Sequence, residues 1–143
     1  MDLSRYDVSQ MKVHEYKTLI RERHLDTFGH VNNAQYIILF EESRWEMITS
    51  RGYSLEKVQK SGIGTVVLEC SVRFQRELRL REEITIQTKV KSVSKKILTL
   101  QHLILKSNGE QAAEASFTMG CFDLKARKLI SPTDDWLFAV TGL

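Results

Sequence analysis

The sequence contains only one proline, seven glycines and two cysteines among its 143 residues. No proline-rich or glycine-rich stretch separates the chain into parts, so we predict one domain over residues 1–143. Cys70 and Cys121 lie far apart and form no CxxC motif, which argues against a zinc site and a disulfide scaffold. Such cysteines are typical of a reducing cytoplasm, and we expect both to be small buried side chains.

Long apolar runs are also absent from the sequence. No stretch approaches the roughly 18 apolar residues of a membrane span, and residues 1–11 lack the apolar core of a secretory signal. We therefore expect a cytoplasmic protein without a membrane span. The formal net charge of +3 permits an anionic ligand such as a phosphorylated cofactor or an acidic carrier protein, and it does not call for nucleic acid.

Apolar periodicity predicts the order of the secondary-structure elements. Residues 12–21 alternate and predict a strand, residues 33–50 predict a helix, and residues 55–60 predict a short second helix. From residue 63 the period is two, which predicts strands at 63–78, 82–93, 96–107 and 110–124. The pair Asn108-Gly109 favours a tight hairpin turn, and the C-terminal tail reads as one helical turn at most. The expected class is α+β, with an antiparallel sheet wrapped around one long helix.

The predicted long helix begins at a favourable cap. Asn32 is a preferred N-cap residue, and Gln35 three positions later is able to complete a capping box. Apolar side chains surround most of this helix, which is typical of a buried helix rather than a surface one. The expected inward side consists of Ala34, Ile37, Ile38, Trp45 and Ile48, widened by Tyr36, Phe40, Ser43 and Met47.

A polar segment, HLDTFGHVNN at residues 24–33, runs directly into the helix. Asp26 is compatible with a structural role, because loop aspartates commonly hold their own loop together. The alternative is catalysis. The first amides of a helix lack partners and lie at its positive end, so the N–H of Asn33 is a candidate oxyanion donor. Asp26, on a loop that folds back, would face the same carbonyl group.

This combination suits cleavage of a thioester, because a thiolate leaves far more readily than an amine or an alkoxide. Asp26 is able to act as nucleophile, through a mixed anhydride, or as general base for water, and the sequence leaves both open. His24 and His30 fit either structural hydrogen bonding or catalysis, and no recognised metal motif includes them. Glu69 interrupts an apolar strand, so it is either an outward-facing side chain or a buried functional acid.

One segment resembles the signature of a known enzyme family. LDTFGHVNNAQYIILFEESRWEM, residues 25–47, is similar to the 4-hydroxybenzoyl-CoA thioesterase-like group, in which Asp is followed by Gly, an HVNN-like turn and Y…E…R on a central helix. VVLECSVRFQRELRLREEITIQTKV and GEQAAEASFTMGCFDLKARKLISP resemble the later strands of that group. The resemblance implies the hotdog fold, an antiparallel five-stranded sheet wrapped around one long central helix, dimerising edge to edge with sites at the interface.

Residue by residue, the resemblance implies roles for four positions. Asp26 falls on the catalytic carboxylate, and Asn33 falls where a helix amide polarises the thioester carbonyl. One branch of the group has a catalytic His at the position of Asn33. The HVNN turn also resembles plant acyl-acyl-carrier-protein thioesterases, in which the positions of Asp26, His30 and Glu69 are catalytic, whereas Phe28 replaces an Asn. Glu69 is then expected to reach the site from a neighbouring subunit.

We therefore expect an acyl thioesterase that acts on acyl-CoA or acyl-carrier-protein as a homodimer or homotetramer, without metal, cofactor or nucleic acid. Two alternatives stay open: a hotdog enoyl-CoA hydratase or dehydratase, and a non-catalytic acyl-CoA-binding module. The spacing from Asp26 to His30 is one residue shorter than the hydratase pattern, and a pure binding module has no need of Asp26. Ile37, Phe40 and Trp45 are candidates to line part of an acyl tunnel.

Overall fold

The computed structural model describes residues 2–143 and contains six strands and three helices in that range. Three short 3-10 turns precede or follow the first strand, at Leu3–Arg5, Val8–Gln10 and Glu22–His24. The longer elements are β1 (His14–Leu19), α1 (Asn33–Ser50), α2 (Leu55–Ser61), β2 (Ile63–Phe74), β3 (Glu83–Ser94), β4 (Ile97–Lys106), β5 (Gln111–Asp123), β6 (Lys128–Leu129) and α3 (Asp134–Thr141).

The five long strands form one antiparallel sheet in the order β1-β3-β4-β5-β2. The two-residue strand β6 pairs with the end of β5 and was not predicted. The predicted hairpin turn lies between β4 and β5, where Gly109 has a φ of 88°. The expected α+β architecture, a sheet of five long strands around one long central helix, is confirmed.

One face of the sheet packs against α1, because side chains alternate between a core face and an outer face along each strand. On β4, for example, Leu98, Leu100, His102 and Ile104 are buried while the residues between them are partly exposed. Tyr36, Leu39, Phe40 and Met47 of α1 meet this face. Helix α3 closes the core with the fully buried Trp136, whose indole N–H donates to Thr65 Oγ1 at 2.9 Å. The tail is therefore a full helix and not the single turn expected.

Some of the apolar side chains of α1 lie outside the core, so the expectation that this whole set faces inward was wrong. Ile37, Ile38 and Trp45 are 41%, 44% and 37% exposed, although they were predicted to face inward. Apolar periodicity reveals which side chains avoid water but not whether the chain itself covers them. Cys70 is likewise exposed, whereas Cys121 is buried as expected.

The edge strand β2 is the other uncovered apolar surface of the fold. Its outer edge has no partner strand among residues 2–143. Val67, Leu68 and Phe74 are 43%, 53% and 54% exposed on this strand. The register against β5 shifts between Val67 and Glu69, so that Leu68 is an extra residue in a bulge.

Across residues 2–143, no helix combines the length and apolarity that crossing a lipid bilayer would need.

Candidate active site

The segment before α1 is a compact loop closed by its own backbone. Leu25 and Val31 form an isolated antiparallel bridge, and the N–H of Asp26 donates to the carbonyl of His30 at 2.8 Å. Gly29 sits at the turn with a φ of 83°, a conformation that glycine adopts without a steric penalty. The loop therefore folds back, as the sequence predicted, and carries Asp26 toward the start of α1.

The Asp26 carboxylate is held by the loop on one side only. Its Oδ1 accepts from the amides of Phe28 and His30, at 2.8 and 3.2 Å. Within residues 2–143 no donor reaches the other oxygen, Oδ2. Asp26 therefore does hold its own loop together, as one of the two sequence-based interpretations proposed. It uses only Oδ1 for this, so Oδ2 is available for chemistry.

The start of α1 presents one free backbone donor beside Asp26. Asn32 is the N-cap as predicted, but its Oδ1 accepts from the amide of Ala34 at 2.9 Å, and the expected capping box with Gln35 is not formed. The N–H of Gln35 donates to the carbonyl of Asn32 at 2.9 Å. The N–H of Asn33 has no acceptor in the described part of the chain, as is usual for the first amide of a helix.

Asp26 and Asn33 line the same open cavity, whose volume is about 420 Å³. The opposite wall is formed by the end of β2 and the residues that follow it. The ring of Phe74 packs edge-on against Tyr36 of α1, with 4.9 Å between the ring centroids, and this contact fixes that wall to the helix. The lining residues are Asp26, Val31, Asn32, Asn33, Tyr36, Phe74, Gln75, Arg76 and Glu77.

Glu77 is a site residue that the sequence did not reveal. Its Oε2 lies 2.8 Å from Nε2 of His30, and its Oε1 accepts from Nε of Arg79 at 3.0 Å. The hydrogen bond from Arg79 and the charge of His30 lower the pKa of the Glu77 carboxyl below its ordinary value, so Glu77 is ionised at neutral pH. The pair links the Asp26 loop to the segment after β2. Only the three-dimensional pairing could reveal it, because the two residues lie far apart in the sequence.

The two remaining candidates lie outside this cavity. Glu69 is exposed on the edge strand β2 and is not among the residues that line the Asp26 cavity. His24 is buried, and its Nδ1 accepts from the amide of Arg21 at 2.8 Å. The backbone carbonyl of His24 accepts from the amide of Asn32 at 2.9 Å, so His24 helps to fix the position of the N-cap residue of α1. One protomer therefore brings Asp26 and Asn33 into one cavity. His30 does not line this cavity but contacts the lining residue Glu77, and Glu69 lies apart from all of them.

A chain of hydrogen-bonded polar groups, buried except for the partly buried Arg44, connects α1 to β3 and β4, and sequence reasoning missed it as well. Arg44 Nη1 contacts His102 Nε2 at 3.1 Å, His102 Nδ1 contacts Thr88 Oγ1 at 2.8 Å, and Thr88 Oγ1 contacts Ser43 Oγ at 3.2 Å. Arg44 is always a donor, so His102 is neutral with its proton on Nδ1. Burial lowers the pKa of Arg44 to about 10, and burial and Arg44 lower the pKa of His102 well below its ordinary value. One feature of the sequence could have revealed this chain of polar groups: His102 occupies a position on the core side of the regularly alternating strand β4.

Comparison with known proteins gives a family match over most of the chain. Residues 20–139 match the family model described as the thioesterase-like superfamily. The chain is 31% identical over 113 residues to the long-chain acyl-CoA thioesterase FadM of Escherichia coli, and the matched region covers 78% of this chain and 85% of FadM.

Two further matches are also to thioesterases, one by sequence and one by structure. The chloroplastic acyl-acyl carrier protein thioesterase ATL3 of Arabidopsis thaliana is 29% identical over 121 residues, which are 84% of this chain but only 64% of ATL3. The crystal structure of YbaW, a probable thioesterase from Escherichia coli, superimposes with a TM-score of 0.75 at 26% identity, over 87% of this chain and 94% of YbaW.

Proposed function

The chain belongs to the thioesterase-like superfamily, and from that premise we propose that it hydrolyses an acyl-CoA thioester to a free acid and coenzyme A. The observation that carries the proposal is one cavity lined by both Asp26 and Asn33. Asp26 has one carboxylate oxygen without a hydrogen-bond donor, and the backbone N–H of Asn33 has no acceptor in the described part of the chain. Those are the two groups that thioester hydrolysis needs: one to deliver an oxygen to the carbonyl carbon, and one to stabilise the oxyanion that forms.

In the proposed reaction the thioester carbonyl oxygen accepts from the N–H of Asn33. Oδ2 of Asp26 either attacks the carbonyl carbon itself or takes a proton from a water that attacks it. In both routes the tetrahedral oxyanion collapses, the carbon–sulfur bond breaks and the thiolate departs. The first route leaves a mixed anhydride that a water must then open to restore Asp26. The second gives the free acid directly.

His30 and Glu77 support this site in the proposal. Because both amides that hold Oδ1 of Asp26 belong to the 26–30 loop, anything that fixes the loop also fixes the carboxylate. The His30–Glu77 contact ties the loop to the opposite wall of the cavity. We assign His30 as an assistant at the site and Glu77 as a positioning residue that acts through it.

A second copy of the chain completes the site in this proposal. The open edge of β2 and the exposed Ile37 and Ile38 are the apolar surfaces that a partner subunit would cover. Glu69 lies on that edge, and pairing of two edges would carry it toward the partner's cavity. A homodimer is the smallest assembly that meets this requirement, and a homotetramer contains the same pair.

The experiment that tests the function measures free-thiol release from acyl-CoA substrates by wild type and Asp26→Asn. Asparagine keeps the Oδ1 acceptor for both loop amides, so the loop stays closed while the charge is lost. We expect turnover to fall by about 10² to 10⁴ with an unchanged thermal melt. Activity that survives the substitution would refute the role of Asp26.

The carrier is tested with the same two proteins. Acyl-carrier-protein substrates replace acyl-CoA, and the ratio of the two kcat/KM values identifies the physiological thiol. Tight binding of acyl-CoA without turnover of either carrier would instead identify a binding module.

A further inference from the structure

Arg44 is a partly buried cation without a carboxylate partner in its own subunit. Its Nη1 contacts the neutral His102, and its guanidinium lies 4.2 Å from the centroid of the Phe117 ring. Among residues 2–143, no carboxylate oxygen lies within ion-pair distance of this guanidinium. A charge removed from water needs a partner of opposite sign, whereas Arg44 has a neutral imidazole and an aromatic ring.

Other partly buried cations of this fold do have partners. The side chain of Lys106 is 16% exposed, and its Nζ lies 3.2 Å from Oε2 of Glu82. Arg51 donates from Nη1 to two backbone carbonyls of α3, at 3.1 and 3.2 Å. Burial lowers the pKa of Arg44 to about 10, which is the effect expected of a cation that has lost water without gaining an anion. Arg44 therefore lacks the kind of partner that the other two have.

Glu41 is an acid in the complementary situation. It is exposed on α1, and its carboxylate forms no ion pair or hydrogen bond with any of residues 2–143. Glu41 and Arg44 are the two charged residues that border a second cavity of about 320 Å³, between the second half of α1 and the start of β2. They lie about 4.5 Å apart along the helix axis and about 60° apart around it, and they do not pair with each other.

Both residues adjoin the surface that the proposed homodimer covers. Glu41 continues the exposed stripe of α1 that contains Ile37 and Ile38, and the cavity beside it is closed on its other side by Val67 of the open-edged strand β2. A two-fold axis that crosses α1 between Glu41 and Arg44 makes the two helices antiparallel. Glu41 of each subunit then lies level with the partner's Arg44.

The symmetry of such an interface favours this arrangement of charges. In a two-fold contact, residue i meets residue j of the partner and residue j meets residue i, so one ion pair implies a second. A face that carries only cations or only anions repels its own copy. A face with one unpaired charge of each sign attracts a second copy of itself.

We propose that Arg44 of each subunit pairs with Glu41 of the other, and that these two ion pairs set the register in which the two α1 helices pack. The inference rests on the proposed function, in which a homodimer completes the site, and it adds the contact that selects the partner: a second copy of this chain in one antiparallel alignment. Because His102 and Phe117 already hold the guanidinium, Arg44 is a preorganised docking point for the incoming carboxylate.

The first test measures the dimer dissociation constant by sedimentation for wild type, Glu41→Gln, Glu41→Arg and Glu46→Arg. Glu46 is exposed on the same helix about 140° around the axis from Glu41, which makes it the matched control. We expect the dissociation constant to rise at least about 10²-fold in Glu41→Gln, because both buried guanidinium groups lose their partners. Glu41→Arg should weaken the dimer further, and Glu46→Arg should behave as wild type.

Three results would overturn the proposal: a monomeric wild type, an unchanged dissociation constant in both Glu41 variants, or an equal weakening in Glu46→Arg. The Glu41 variants are expected to fold, since the carboxylate has no partner in its own subunit, and a thermal melt verifies this. Thiol release is measured separately. Its absence in a dimeric wild type would refute the hydrolase proposal and leave the ion pairs in place.

A charge exchange tests which residues meet. Glu41→Arg puts two cations at each contact and Arg44→Glu puts two anions there, so each variant should be monomeric alone. Mixed in equal amounts, they should form a heterodimer in which both contacts join opposite charges, and native mass spectrometry detects it.

Because Arg44 packs on Phe117, the exchange is also made within one chain. The double variant Glu41→Arg/Arg44→Glu restores opposite charges at both contacts and should dimerise more tightly than Glu41→Arg. Folded variants that stay monomeric both in the mixture and in the double variant would overturn the pairing of Arg44 with Glu41. If Arg44→Glu does not fold in either setting, the Glu41 and Glu46 variants decide the question by themselves.

Discussion

At the scale of single residues, Glu77 connects three parts of the site. One carboxylate oxygen contacts His30 and the other accepts from Arg79, while the backbone carbonyl of Glu77 accepts from Lys106 at 2.7 Å. We expect Glu77→Gln to lower kcat/KM about tenfold, because a misplaced catalytic loop costs rate without unfolding the protein. Glu110→Gln is the control, since Glu110 pairs with the cavity residue Arg76 and is similarly exposed.

The same prediction is sharpened by a double-mutant cycle with His30→Gln. If Glu77 acts through His30, the double variant should be no slower than the slower single variant. Additive losses would contradict the assignment of Glu77 as a positioning residue and indicate an independent effect of its charge.

His102 gives the molecule a pH dependence that has no connection with catalysis. Burial lowers its pKa in the folded state, so the unfolded chain binds the additional proton below about pH 6.5. The free energy of unfolding therefore falls as pH decreases, by about 1.4 kcal/mol per pH unit for one such histidine. His14 and His24 have lowered pKa values through burial and act in the same direction.

Urea denaturation at pH 7.5 and pH 5.5 measures this effect. We expect His102→Asn to have a smaller difference between the two pH values than wild type, whatever its absolute stability. An unchanged pH difference in His102→Asn would show that the proton uptake on unfolding occurs elsewhere.

At the scale of elements, the N-terminus of α1 is the part whose role can be isolated most cleanly. The proposed oxyanion donor is the backbone N–H of Asn33, and its side chain is exposed. Proline is well tolerated at the first position of a helix and removes only this N–H. Asn32 has φ −62° and ψ 140°, an extended conformation that a following proline accepts.

We therefore expect Asn33→Pro to reduce kcat by about 10² to 10³ with little change in thermal stability, as loss of one oxyanion donor does. Asn33→Ala keeps the amide and should retain near-wild-type activity. The reverse pattern, with the alanine variant inactive and the proline variant active, would assign the function to the side chain.

The elements also show what could be read from the sequence. The bounds of α1 and the four long strands after it were predicted to within a few residues, because period and cap are local properties. Asp26 and Asn33 line one cavity, since one short continuous segment holds both, and their catalytic roles stay predictions. The register of β2 against β5 and the bulge at Leu68 depend on distant partners, so the wall that contains Glu77 could not be predicted.

At the scale of the whole molecule, the position of Glu69 requires a second chain if the residue is catalytic. This can be tested by mixing two inactive variants. In a two-fold symmetric dimer of Asp26→Asn and Glu69→Ala subunits, one site combines both substitutions and the other has neither. Random mixing by unfolding and refolding should restore about a quarter of the wild-type activity.

The mixing experiment tests both the catalytic role of Glu69 and the assembly of the subunits. Recovery on mixing requires an active site shared between subunits, and sedimentation should show a dimer or a larger assembly. Mixtures that stay as inactive as the separate variants would place Glu69 in its own subunit's chemistry. Full activity of Glu69→Ala alone would remove it from the site altogether.

The open edge of β2 has a consequence for how the protein is made in the cell. If the protein forms the proposed dimer, a newly synthesised chain exposes the 12-residue strand β2, with unpaired backbone groups along its outer edge and apolar side chains beside them, until a second subunit covers it. Any other unpaired strand competes for that edge, so slow assembly favours aggregates. Synthesis of many copies close together, as on one polysome, would shorten this exposure and raise the yield of correctly paired subunits.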